Sequence, residues 1–382
     1  MKRVSIVFAV TATLVGCGTG APSAPPAAGS CGYDALVALS DPQYTASGVG
    51  GFALSGKGFV SNGITSHDPA LSFSNGRAFF ILRDVGQIVE LDPKCGTAIG
   101  PHLVANDPRT SRTSNPQDVA AAPDGSLWIP RYDVPSVIQI GTDGGIERTI
   151  SLSSKSYDLD GNPNASAIAI LPVNGVAKAF VALGVLEDSI RPFPVPYPEH
   201  PSLILQIDIA TGAIENTTEL QGRNPFGLFF PYGGALWMAE PGDFGKTNEA
   251  LAGIERFDPQ TRTSKLLMAE TAFGASVAEI AVTSGCGAAI VADATSKNAT
   301  SLATFDPTSG KVLARAILST SGYDLQAMLW VGDVLLVGDR ATPAGGGQYA
   351  VHTFDRTAGC VLTKRPDAIY LPLPPVAFQP AH

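Results

Sequence analysis

The sequence predicts an all-β fold built from repeated four-stranded units, and three observations predict it. The first is a recurring phrase. It reads Leu91-Asp92-Pro93-Lys94-Cys95-Gly96, a degraded Ile140-Gly141-Thr142-Asp143-Gly144-Gly145, Ile207-Asp208-Ile209-Ala210-Thr211-Gly212, Phe257-Asp258-Pro259-Gln260-Thr261-Arg262, Phe305-Asp306-Pro307-Thr308-Ser309-Gly310 and Phe354-Asp355-Arg356-Thr357-Ala358-Gly359. The apolar lead residues stand 49, 67, 50, 48 and 49 positions apart. Each phrase is a turn: Asp accepts nearby backbone N–H groups, Pro presets φ, and Gly takes the φ > 0 position. The second observation is that short apolar runs, not helical stripes, fill the space between phrases. The third is composition, with only 15% charged residues but 41 Gly and 30 Pro, a turn-rich β profile.

From the N-terminus, Lys2 and Arg3 precede an apolar run from Val4 to Val15 that is too short to span a bilayer. This is the layout of a secretory signal. The run ends at Leu14-Val15-Gly16-Cys17, which resembles the lipobox of bacterial lipoproteins. That resemblance implies removal of residues 1–16 and lipidation of Cys17, with stable anchoring through several acyl chains. Gly18, which is not Asp, points to the outer membrane or cell surface of a bacterium. Residues 17–30, rich in Gly, Ala, Ser and Pro, read as a flexible tether, and residues 31–382 as one folded domain. Loss of the signal moves the formal charge from −9 to about −11, which argues against nucleic acid as a partner. Cys31, Cys95, Cys286 and Cys360 remain, an even set that suggests two disulfides in an exported protein. Three connectivities are open; Cys31 with Cys95 and Cys286 with Cys360 close the most local stretches.

Strands follow in order. Apolar runs at Ala35 to Leu39 and Gly51 to Leu54 precede the first full unit, which has Leu71 to Phe73 and Ala78 to Leu82. The second unit shows all four strands: Asp118 to Ala122, a Pro123-Asp124-Gly125 turn, Ser126 to Pro130, Val137 to Ile140 and Ile146 to Leu152. Asp-Gly between two such runs is a direct hairpin signal. Later units repeat the plan at Ala167 to Leu171 with Ala179 to Leu183, Phe226 to Phe230 with Leu236 to Ala239, Ala278 to Val282 with Ala288 to Ala292, and Gln326 to Val331 with Val334 to Val337. Four-stranded units at this period form a β-propeller, whose ring closure leaves only short edges. Six phrases give six blades, with seven as the alternative count. Ala368 to Leu373 and residues 31–65 are left to close the ring or build the extra blade.

The stretch from Asn115 to Ile129 resembles the repeat of the NHL, SMP-30/gluconolactonase and YVTN groups of propellers. The resemblance implies fold and not activity. Loops leaving each second strand, opposite the phrase turns, begin with Arg83 and Asp84, Arg131, Tyr132 and Asp133, Glu240, Asp293, and Asp339 and Arg340. Such a ring suits a polar ligand or a cation, although the Asp residues also serve as repeat-specific turn caps. Likeness to gluconolactonases implies a divalent metal held by Glu, Asn and Asp near the channel; Glu240, Asn115, Asn224, Asp293 and Asp118 have those types. Asp158, Asp160 and Asn162 resemble the opening of a Ca2+ loop, but Pro163 and Ala169 stand where its Gly and bidentate Glu belong. The five histidines show no ligand spacing. Glu187 to Ser202 is a proline-rich excursion fit to be a lid or partner-binding arm, or a long loop packed flat on its blade. The functional expectation is a lipid-anchored, non-enzymatic module that binds a protein or polysaccharide. The alternative is a lactonase or hydrolase dependent on a divalent metal such as Ca2+.

Overall fold

The phrase turns act as their chemistry requires in the computed structural model, which describes residues 31–55, 60–106, 112–154, 156–186, 200–243, 246–341 and 348–381. The signal segment, Cys17 and the tether lie outside these residues, as do positions 187–199 of the proline-rich excursion. Asp92, Asp208, Asp258 and Asp306 each accept a backbone N–H two or three residues on, at 2.7 to 2.8 Å. Gly96, Gly212, Arg262 and Gly310 take the positive φ that closes the turn. Asp355 is the exception. Its strand runs on through Thr357, the turn follows at Ala358–Cys360, and Asp355 pairs instead with Arg365 at 2.7 Å.

Three strands open the body: β1 (Ala35–Ser40), β2 (Ser47–Phe52) and β3 (Val60–Thr65). Six sequential fours follow: β4 (Pro69–Ser74) to β7 (Leu103–Val104), β8 (Ala120–Ala121) to β11 (Ile146–Ser151), β12 (Ala165–Val173) to β15 (Ile214–Glu219), β16 (Phe226–Tyr232) to β19 (Thr263–Ala269), β20 (Ser276–Thr283) to β23 (Lys311–Ser319), and β24 (Leu325–Val331) to β27 (Val361–Lys364). Each four is an antiparallel sheet in chain order. Two strands remain, β28 (Ile369–Leu371) and β29 (Pro375–Pro380).

The propeller has seven blades, not six. β29 returns to pair with β1, matching Ala35 to Pro380 and Leu36 to Gln379, and completes the sheet β29-β1-β2-β3. Ala368 to Leu373 does not close the ring as expected; its core, β28, pairs with β26 (Tyr349–Thr357) in the last blade. Proline hid the closing strand. An innermost strand has one free edge, so Pro375 and Pro380 withdraw no required ladder donor.

Burial follows strand position. Second strands are sandwiched on both faces and read as continuous apolar runs, as in Ala235–Glu240, which is buried throughout. Outer strands alternate half-buried and exposed, as in Ile214–Glu219. Seven apolar clusters fill the seven junctions between neighbouring blades. Trp128 of the third blade and Leu205 of the fourth share one cluster, as do Val37 and Phe52 of the first with Leu336 and Val351 of the last. Burying each large side chain contributes roughly 1.5 to 3 kcal/mol, so junctions rather than isolated sheets carry the fold. Cys286, in the sixth blade, is bonded to Cys360 in the seventh; Cys31 and Cys95 are disulfide-bonded as well.

Candidate functional site

Residues from all seven inner strands, or from the turns leading into them, line a central cavity of about 1000 Å3. Its walls are largely apolar, with Leu71, Ile168, Phe226, Leu228, Met328 and Trp330 among the lining. Polar groups gather at the end opposite the phrase turns, where Tyr44, Asp68, Arg83, Gln117, Tyr323, Gln326 and Arg340 line it. The register explains the position: Arg83 follows Leu82, which pairs with Gln87, whereas the phrase begins at the other end of that strand, beside Ala78.

Two of the three predicted arginines reach this mouth. Arg83 ion-pairs with Asp68 at 2.6 Å and donates to Gln117 Oε1 at 2.9 Å. Arg340 donates to Gln326 Oε1 at 2.6 Å and has no ion pair among the described residues. In both, Nε is buried without an acceptor. Burial pulls the Arg340 guanidinium below its ordinary pKa, opposed at longer range by Tyr44, Tyr323 and Asp324. Arg131 stays inside its blade, donating to Ser136 Oγ at 2.7 Å.

The predicted acids are mostly engaged locally. Asp84 holds His67 at 2.9 Å and the Asp68 amide. Asp339 holds His352 at 3.0 Å. Asp293 caps its own loop through the amide and hydroxyl of Thr295. Asp133 is raised in pKa by burial, against a bond from Asn115 and the field of Arg112. Asp158 and Asp160 each accept the amide two residues on, and the Asn162 side chain donates to Tyr132 O.

Deeper, single acids clip one blade to the next. Asp118 accepts the amide of Ile168 in the neighbouring inner strand at 2.9 Å and touches Ser72 Oγ at 2.7 Å. Desolvation pushes its pKa up to about 6. The Asp118 oxygen that Ser72 touches accepts the Val119 amide at 2.8 Å, and Ser72 Oγ also lies 2.8 Å from Val119 O. Glu279, which the sequence reading passed over, accepts the amides of Ala327 and Met328 at 2.8 and 2.7 Å. Those donors are freed by a bulge in β24, where Ala327 sits at φ 65°. Burial raises Glu279 to about 7. The signal was available, as an acid inside the apolar run Val277-Ala278-Glu279-Ile280.

Glu240 is sealed. It ends β17 (Ala235–Glu240) with no exposure, no hydrogen-bond partner for either oxygen, and Glu255 beside it. Desolvation first, and the Glu255 charge second, raise its pKa well above the ordinary value. The Arg223 charge opposes that rise. Glu255 in turn accepts the amides of Gln221 and Gly222, holding the crossover from the fourth blade.

No protein-family model matches the chain, and no curated protein matches it. Solved structures do, at low identity. A candidate 6-phosphogluconolactonase from Bacteroides uniformis is 12% identical, with TM-score 0.58 over 90% of this chain and 98% of that one. A second such candidate, from Bacteroides fragilis, gives 12% and 0.57 over 93% and 99%. Virginiamycin B lyase from Staphylococcus aureus gives 13% and 0.51 over 87% of each. These likenesses establish the propeller fold. The metal centre that the gluconolactonase resemblance implied does not fit these residues: Glu240 is sealed beside Glu255, Asp118 is bonded to Ile168, and Asp293 is folded into its own loop. Among the described residues, no three His, Cys, Asp or Glu side chains converge as ligands.

Proposed function

We propose that the chain is a binding module, an exported and lipid-anchored propeller that takes its ligand into the central cavity through the loop face and does not turn it over. The direction of the acids carries this reading. Asp118 and Glu279 line the cavity with their carboxylates bonded to neighbouring backbone and Glu240 is shut away, while Arg83, Arg340, Tyr44 and Tyr323 line the same cavity, which is of ligand size. The apolar walls favour a ligand with an apolar body over a polysaccharide chain. The lactonase alternative requires calcium to raise the melting temperature.

The test uses the chain from Cys31 onward, which carries every strand and all seven junction cores. N-phenyl-1-naphthylamine, a neutral fluorescent apolar probe, should bind saturably at one site per chain. Ala278→Trp, placed on the cavity wall against the sixth–seventh junction core, should abolish that binding while cooperative melting is retained. Absence of saturable binding, or binding unaffected by the blocking tryptophan, would refute the reading. Membrane release of Cys17→Ser tests the anchor separately.

A further inference from the structure

Resting on the cavity reading, we infer that Arg340 anchors the anionic head of an amphiphile whose apolar body lies along the cavity wall. Arg83 is compensated by Asp68, but Arg340 has no carboxylate in ion-pair range among the described residues. A half-buried guanidinium with no carboxylate in direct contact is a standing cost, relieved by an anion that completes its fork. Gln326 holds Nη1 and fixes the plane, while Nε remains without an acceptor. Tyr44 and Tyr323 line the same mouth and offer phenolic donors to the same anion. The carboxylate that acts on Arg340 is Asp324, and it does so at longer range without an ion pair. Below the mouth the wall turns apolar at Leu71, Met328 and Trp330, which suits an acyl or aromatic body and offers little to a polyanion.

The head is a carboxylate or phosphate, and the test separates them. N-phenyl-1-naphthylamine bound to the chain from Cys31 onward is displaced with dodecanoate, dodecyl phosphate or neutral dodecanol. A charge-assisted pair predicts that at least one anion displaces the probe at roughly tenfold lower concentration than dodecanol, and the better anion identifies the head. Arg340→Met should raise that anion's midpoint about tenfold and leave dodecanol and the probe unchanged. Arg340→Lys, which keeps charge but loses the fork, should fall between. Equal displacement by anions and dodecanol in the wild type, or equal shifts for all three in Arg340→Met, would overturn the anchor while leaving the cavity reading intact. Failure of the probe itself to bind would remove both.

Discussion

At the scale of single residues, the fold depends on a few side chains that sit where a neighbour leaves no freedom. A Cβ on Gly222 would lie 1.5 Å from Glu240 Oε2, so Gly222→Ala must displace a buried acid. Unfolding should show a loss of at least about 2 kcal/mol. Glu240→Gln should cost under about 1 kcal/mol at pH 7, because burial and the Glu255 charge favour the uncharged form that the amide reproduces. A large loss of stability there would mean that Glu240 is charged and served by a cation. Asp118 and Glu279 give a pH signature. Their folded pKa values, about 6 and 7, exceed those of the unfolded chain, so the native state binds protons more tightly between about pH 4 and 7. Their stabilisation is fully present below that window and lost as pH rises through it, by roughly 3 kcal/mol each before relaxation. Asp208, lowered to about 2 chiefly by Lys178, acts below the window. Melting temperature should therefore fall from pH 4.5 to 7.5, and Glu279→Gln should flatten the curve while lowering its acid end. An unchanged slope in that variant would contradict the assignment.

At the scale of elements, the disulfide and the closing strand make the clearest predictions. Cys286 and Cys360 are 74 positions apart and tie two blades together, so Cys286→Ala should cost about 2 to 4 kcal/mol in denaturant unfolding. Deleting residues 375–381 removes the inner strand of the first blade and should abolish cooperative melting, whereas a merely trailing segment would leave it intact. Here the limits of the sequence have physical causes. The phrase exposed six turns because Asp, Pro and Gly are required locally, and local requirements are legible. The seventh blade has no such phrase, and its inner strand comes from the far end of the chain in a proline-rich guise that only an edge tolerates. Asp355 kept the wording of the phrase but not its geometry, since β26 runs through it. At the mouth, Arg83 and Arg340 were legible because they break the repeat. Glu279 was legible as an acid inside an apolar run, but its partners, the amides of a bulge in the next blade, exist only after the ring forms.

At the scale of the whole molecule, seven blades with seven junction cores make a rigid ring around one cavity, and ring closure joins the first and last strands of the chain. Rigidity suits a binding module: the cavity wall is preformed, so little conformational entropy is lost on occupation. The chain, −9 in formal charge overall, repels anions at long range, so the cationic group at the mouth works against that field, and salt screens the repulsion and the attraction together. Raising the salt concentration should therefore change dodecanoate affinity less than removing Arg340 does. The central claim, a ligand held in the cavity without turnover, is tested most directly by native mass spectrometry of the chain from Cys31 onward with dodecanoate, side by side with Ala278→Trp. The account predicts one intact adduct per wild-type chain and none in the blocked variant. Adducts of equal abundance in both proteins, or no adduct in either, would contradict it.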